Sequence, residues 1–363
     1  MSGSNAAELP RWADLVLLPL VNLFLALLVT AGVILAVGQP PLEALKALVL
    51  GSLGSFDALG YTLYYTTDMI FAGLAVALAF QCGLFNIGGE GQAYIAGLGV
   101  ALVALNLEFL PAPLLLPLAI LAGAAFGGAW GAVPGWLQAH RGSHIVITTI
   151  MFNFLAASLM VYLIVNVLIA PGSMAPETRE FTGAAHLPGL GFLGFSPDVP
   201  VNLALPLALL CAFAVWLLVW RTPWGYGVRV SGASPAVAAY AGIDARRQIV
   251  LVMALSGALA SGVAVNELLG AQHKLLIGFT GGYGFTGIAV ALMGRNHPLG
   301  TVLAALLFGA LTQGGAELAF EMPDVPAQMV IMIQGLVILF TGALGNLFRP
   351  ALARLLAPRR VAA

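Results

Sequence analysis

Ten runs of mostly apolar residues, separated by polar or Pro/Gly punctuation, constrain this chain more than any other feature. A helix needs roughly 20 such residues to cross the hydrocarbon core of a bilayer. The runs fall at 15–37, 62–83, 88–107, 113–137, 145–170, 201–220, 249–270, 278–293, 299–316 and 327–348. A shorter stretch, 42–57, reads as an interfacial helix, and 170–200 as a loop with Glu177, Arg179 and Glu180. The runs are continuously apolar, whereas barrel strands alternate over about ten residues, so a β-barrel is excluded. Of the 363 residues only 8% are charged, against roughly 25% in soluble domains, which excludes a soluble enzyme. The expected fold is all-α: one polytopic membrane domain over 1–363 with about ten transmembrane helices.

Charge placement sets the expected orientation, because Lys and Arg concentrate in cytoplasmic loops. With both termini cytoplasmic, the inner segments hold Arg11, Arg141, Arg221, Arg229, Arg246, Arg247, Arg295, Arg349, Arg354, Arg359 and Arg360. Lys46, Arg179 and Lys274 fall outside, with Glu43, Asp57, Glu108, Glu177, Glu180, Asp198, Glu317, Glu321 and Asp324. The loop 170–200 is then extracytoplasmic. The eighth run is the weakest, and losing it would spoil the alternation. The first run is longer than a signal-peptide core and reads as a retained anchor. A net charge of −1 gives no footprint for nucleic acid.

Small residues four apart let membrane helices approach closely. Gly123, Gly127, Gly131 and Gly135 form such a ladder, and Ala254, Ala258 and Gly262 a weaker one. Cys82 and Cys211 sit in apolar runs and read as small hydrophobic residues.

Polar groups inside apolar runs are the candidates for work. The third run opens GLFNIGGEGQ at 83–92, where glycines favour an interrupted or closely packed helix start. If that part is helical, Asn86, Glu90 and Tyr94 share one face. Two readings stand there: a substrate or gating surface, or a glycine-packed end where Glu90 caps backbone amides at the cytoplasmic rim. A second glycine-rich stretch, 278–287, is either a re-entrant turn whose Phe279, Tyr283 and Phe285 stack on a flat or ring-shaped substrate, or interfacial aromatics around a break. Asn266 and Glu267, followed by Gln272, His273 and Lys274, read as an outer rim rather than a proton relay. Asp68, close to Tyr61, Tyr64 and Tyr65, reads as part of the outer aromatic belt. Asn153 and Asn166 are candidates for hydrogen bonds between helices.

Enzyme motifs are absent: there is no GxxxxGK[ST], HExxH or GxSxG. His140, His144, His186, His273 and His297 are scattered over different loops, against a common metal site. If solute moves uphill with ATP, another chain hydrolyses it. The inward segment 221–248 suits that dependence. Ser234 is placed to cap a helix, Pro235 to start it and Gly242 to stop it, giving either a docking knob for a soluble partner or an ordered connector.

GLFNIGGEGQ at 83–92, TPWGYGVRVSGASPAVAAYAGID at 222–244 and GYGFTGIAVALMGRNHPLG at 282–300 together resemble the permease subunits of ABC importers for nucleosides, ribose-like sugars and branched-chain amino acids. The GGEGQ element is similar to the nucleoside or simple-sugar branch. The resemblance implies a multi-pass protein of the bacterial inner (plasma) membrane, without cofactor of its own, because ATP is bound by a partner. It implies two ABC ATPase domains, a second permease, identical or paralogous, and an extracytoplasmic substrate-binding protein. Ala238, Ala239 and Gly242 would belong to a coupling helix, with Ser234, Pro235 and Ile243 flanking them; Val237 stands where other ABC importers carry the Glu of their EAA signature. Phe85, Asn86, Glu90, Gln92, Tyr283 and Phe285 would line or gate the path. The rival readings are a branched-chain amino acid ABC permease, an ion-coupled secondary transporter using Glu90, Asp68 or Glu267, and a channel.

Overall fold

A computed structural model describes residues 17–340 except 37, 324, 326 and 327, with Pro10 and Ala13 besides. Both termini, with Arg11, Arg349, Arg354, Arg359 and Arg360 and the end of the tenth run, lie outside the described residues. A helix lies in each of the ten apolar runs: α1 (Leu18–Ala36), α3 (Phe56–Gln81), α4 (Gly89–Asn106), α5 (Ala112–Arg141), α6 (Ile145–Asn166), α7 (Ala204–Arg221), α10 (Ala245–Ala264), α11 (Tyr283–Met293), α12 (Pro298–Glu321) and α13 (Gln328–Ile338). The short helices α2 (Pro41–Leu53), α8 (Pro223–Ala233) and α9 (Pro235–Tyr240) lie between them. Among the described residues six helices are long and apolar enough to cross a bilayer, counting α10 with its continuation to Gln272.

Local signals account for the ends. Ser55, Thr222, Ser234 and Asp244 each accept a hydrogen bond from a first-turn amide of α3, α8, α9 and α10 in turn, as short polar side chains do at helix starts. Gly142, at φ 68°, closes α5.

Packing divides the chain into two units, 1–54 with 311–363, and 55–310. In the first, Ile34, Ala44, Ala47, Leu318 and Met329 make a buried apolar cluster. There a methyl group on Gly314 would collide with the Leu48 carbonyl, so α2 and the end of α12 meet backbone to backbone.

The second unit is organised around the glycine ladder of α5. A Cβ on Gly127 would strike the Gly257 carbonyl, one on Gly131 the Met253 carbonyl, and one on Gly135 the Met253 side chain at 2.8 Å. Gly123 faces Val100 of α4, and Gly128 faces Ala254 and Ala258. The ladder is therefore a packing face, as expected, and α10 is its main partner. Without water to drive apolar association, such backbone approach is what holds membrane helices together.

Gly127→Ala should lower the thermal unfolding midpoint of the purified chain in detergent, because overpacking typically costs about 1–3 kcal/mol. Gly32→Ala, where nothing lies within 4 Å, should leave it unchanged.

Candidate functional site

Two breaks in helical backbone lie in the second unit. α3 ends at Gln81 and α4 starts at Gly89, so the glycine-rich stretch is a short non-helical link between the second and third runs. The other break follows α10, which continues as a π-helix over Val265–Gln272 before an irregular segment leads to Tyr283. The eighth run is therefore not helical from 278. Gly278, Gly281 and Gly282 have φ of 82°, 53° and 79°, a backbone form that no right-handed helix contains.

The ends of this segment lie far apart in the bundle. Leu275 accepts a hydrogen bond from Thr178 N of the 170–200 loop at 2.9 Å, whereas Asn296 O, just past α11, accepts from Gln81 Nε2 at 2.8 Å. The eleven residues of α11 reach only about 17 Å, short of the roughly 30 Å core. The eighth apolar run is thus part helix and part glycine-rich turn.

α4 and α11 begin against each other, because Gly284 carries no side chain; a Cβ there would strike the backbone of Glu90. Two helix N-termini, each worth roughly +0.5 charge, meet there, and Glu90 stands in the first turn of α4. Its Oε1 accepts from Thr280 Oγ1 at 2.5 Å and from Gly282 N at 3.2 Å, and its Oε2 from Gly284 N at 2.9 Å. Of the two readings of this residue the capping one describes its contacts, with the difference that Glu90 caps the neighbouring half-helix rather than its own. Tyr94 supports the same turn: its hydroxyl accepts from Gly278 N at 2.9 Å and its ring centroid lies 5.4 Å from that of Phe279.

Asn86 lies in the break before α4, so it does not share a helical face with Glu90 and Tyr94. It is fully buried. Its Nδ2 donates to Ser256 Oγ at 2.8 Å and Gln92 Oε1 at 3.1 Å, while its Oδ1 accepts from Gly88 N at 2.8 Å. Ser256 Oγ donates onward to Ala75 O at 2.6 Å. Asn153 of α6 holds the same break, donating to Ile87 O and accepting from Gly91 N, both at 2.9 Å. It bonds between elements as expected; Asn166 bonds to Tyr162 O of its own helix instead.

Asp68 and Glu267 are the largest departure from expectation. Both are buried within the protein, with exposures of 0% and 4%. Tyr64 Oη donates to Glu267 Oε1 at 2.6 Å, and Asn266 Nδ2 to Asp68 Oδ2 at 2.9 Å. Asn202 Nδ2 donates to Asn266 Oδ1 at 2.9 Å. Asn266 and Glu267 lie in the π-helix, whose wider turn departs from the 3.6-residue phase by which a sequence is read.

Among the six expected pathway residues, then, Asn86, Glu90 and Gln92 are engaged with the protein itself. Phe85 and Phe285 keep 37% and 51% of their surface exposed, and Tyr283 is half-buried. Phe85 also stacks on Phe80 at 5.2 Å between centroids.

The segment 221–248 folds as its punctuation suggests. Ser234 caps α9, Pro235 opens it and Gly242, at φ 72°, follows it. Ala238 is fully buried and seats the helix, while Val237, Ala239, Tyr240 and Gly242 face outward. Pro235 is exposed, and Ser234 and Ile243 are half-buried. Tyr240, 95% exposed, is absent from the sequence-derived set; counting helical phase from the buried Ala238 finds it. Beside α9 is an open cavity of about 600 Å3 lined in part by Trp224, Tyr226, Ile243 and Arg247.

The loop 170–200 is stitched to the residues after the π-helix. Phe181 N donates to His273 O and Leu187 N to Leu269 O, both at 2.7 Å, and Lys274 pairs with Glu177 at 2.9 Å. His186 and His273, read as scattered, stack with centroids 3.7 Å apart.

Six described helices long and apolar enough to cross a bilayer are what a multi-pass membrane protein requires. The chain belongs to the family of permease components of the branched-chain amino acid transport system, whose pattern it matches over residues 58–342. Among curated proteins it is 35% identical to a glucose ABC transporter permease protein of Haloferax volcanii, over 89% of this chain and 86% of that one. It is 35% identical to a guanosine ABC transporter permease protein of Bacillus subtilis (90% and 93% covered) and 30% identical to a nucleoside ABC transporter permease protein of Lactococcus lactis (90% and 90%).

Asn86→Leu should strip the partners of Gly88 N and Gln92, each buried unpaired group costing about 1–3 kcal/mol, while Ser256 keeps its bond to Ala75 O, and should lower the unfolding midpoint more than Ser256→Ala does. Burial, with His186 next in effect, holds the His273 imidazole below its ordinary value against the opposing pull of Glu180. Below a pH of about 6.5 a detached ring takes up a proton that the stacked ring resists, so the loop's attachment is complete above that pH and weakens as pH falls. Hydrogen exchange at Phe181 and Leu187, corrected for intrinsic rates, should accelerate on acidification; protection independent of pH would contradict this.

Proposed function

We propose that this chain is the translocating subunit of an ATP-driven ABC importer for a nucleoside or simple sugar, working by alternating access. Two separate ABC ATPase domains, a second permease, identical or paralogous, and an extracytoplasmic binding protein complete the assembly. The observation that carries the reading is the capped knob α9, which presents Tyr240 and Val237 to the surroundings from a buried seat at Ala238. An exposed aromatic on a short rigid helix is the kind of group that dominates protein interfaces when a partner covers it. Both termini lie on the same cytoplasmic side in this reading, and ten crossings keep the basic segments inside.

The solute class follows the relatives named for glucose, guanosine and nucleosides. Phe85, Tyr283 and Phe285 offer ring faces suited to a sugar or a base, and the engaged Asn86, Glu90 and Gln92 hold the gate's geometry. Solute then reaches a passage lined by aromatic faces, with binding affinity residing in the binding protein.

The test is uptake into vesicles holding the complete assembly, with guanosine and glucose as probes. The expected result is uptake with ATP and none with a proton gradient alone; uptake driven by the gradient would overturn the reading in favour of an ion-coupled carrier. Tyr240→Ala and Ala239→Arg should each lower ATP-driven uptake by roughly tenfold or more, the scale of an interface hot spot, with the unfolding midpoint of the isolated chain unchanged.

A further inference from the structure

An apolar groove of about 430 Å3 runs along α7 and the start of α12, within the roughly 300–1,000 Å3 typical of small-molecule sites. Leu209, Phe213, Leu299 and Val302 form much of its wall, and Trp216 and His297 are its polar-tipped members. No acidic side chain lines it. The Arg221 guanidinium lies 5.0 Å over the Trp216 ring, fixing a cation at the groove's edge. His297 Nδ1 accepts a hydrogen bond from Leu299 N at 3.3 Å, which leaves Nε2 as the nitrogen that carries the proton. Its ring packs on Trp220 at 5.0 Å between centroids. Cation, N–H donor and indole thus stand together at the helix ends, beside a wall of aliphatic carbon. Arg295, two residues before His297, adds a further exposed positive charge to the same turn.

We propose that this groove is a binding site for one anionic phospholipid, its acyl chain along Leu209, Phe213 and Leu299 and its phosphate at Arg221 and His297. Charge complementarity selects this occupant. The apolar helix of a second copy would fill the wall but gain nothing from a cation held at its end, and a zwitterionic lipid would gain less than an anionic one, because its own headgroup cation offsets the charge of its phosphate. One Arg beside an anionic headgroup is worth about a fivefold enrichment of the anionic species.

Tryptophan quenching tests this without reference to transport. The full-length chain is placed in vesicles containing equal mole fractions of phosphatidylglycerol and phosphatidylcholine, with the acyl chains of one lipid or the other brominated. The signal of Trp216 is the difference between the unsubstituted chain and Trp216→Phe. Brominated phosphatidylglycerol should occupy the groove about five times as readily as brominated phosphatidylcholine. Arg221→Gln should abolish that preference, and Arg221→Lys should retain it. Equal quenching by the two lipids overturns the proposal, as does a preference that survives Arg221→Gln. Absence of quenching by either lipid also overturns it, since another protein chain then covers the groove.

Discussion

The carboxylate of Glu90, held between the starts of two half-helices, is the contact on which the second unit depends. α4 and α11 meet end to end with their amides pointing toward one region, a juxtaposition that is electrostatically unfavourable by itself. Glu90 answers both problems at once. It places negative charge where two positive ends meet, and it satisfies the hydroxyl of Thr280 and the amides of Gly282 and Gly284, which have left regular helix. In an apolar surrounding such groups have no water to turn to. Glycine is required at 284, where a side chain would run into the backbone of Glu90 and hold the two helix starts apart.

From that contact the other polar features follow a common pattern. Asn86, Gln92, Ser256 and Asn153 satisfy the break before α4, and Tyr94 the turn before α11. Asp68, Glu267, Tyr64, Asn266 and Asn202 form a second network, based on the π-helix, that joins α3 to the end of α10 and the start of α7. Buried polar networks of this kind specify one arrangement of helices because every alternative leaves a donor or acceptor unpaired. A transport subunit needs such definition at its broken helices, so that force applied at one end moves half-helices as bodies rather than melting them. α9, rigidly capped and seated, is where the proposed function applies that force.

Much of this was legible in the sequence, for identifiable reasons. Continuous apolar runs placed the helices, small residues four apart found the α5–α10 face, and Ser234, Pro235 and Gly242 marked α9 to the residue. Glycine density also signalled both breaks. The partners of the polar side chains were not legible. Asn86 shares a four-residue spacing with Glu90 and Tyr94, but the spacing has no meaning across a break. Asp68 and Glu267 looked peripheral because each stands near a run's edge and beside aromatics; a π-turn and hydrogen bonds between residues 198 and 203 positions apart draw both into one network. Glu90 pairs with residues some 190 positions later, which no local period records.

The energetic claim about Glu90 is tested most directly by a double-mutant cycle. Unfolding free energies of the reconstituted chain would be measured for the unsubstituted protein, Glu90→Gln, Thr280→Val and the double variant. A direct charged hydrogen bond predicts an interaction energy of about 1–3 kcal/mol. Effects that add to within about 0.5 kcal/mol would contradict the claim that this carboxylate ties α4 to the turn before α11.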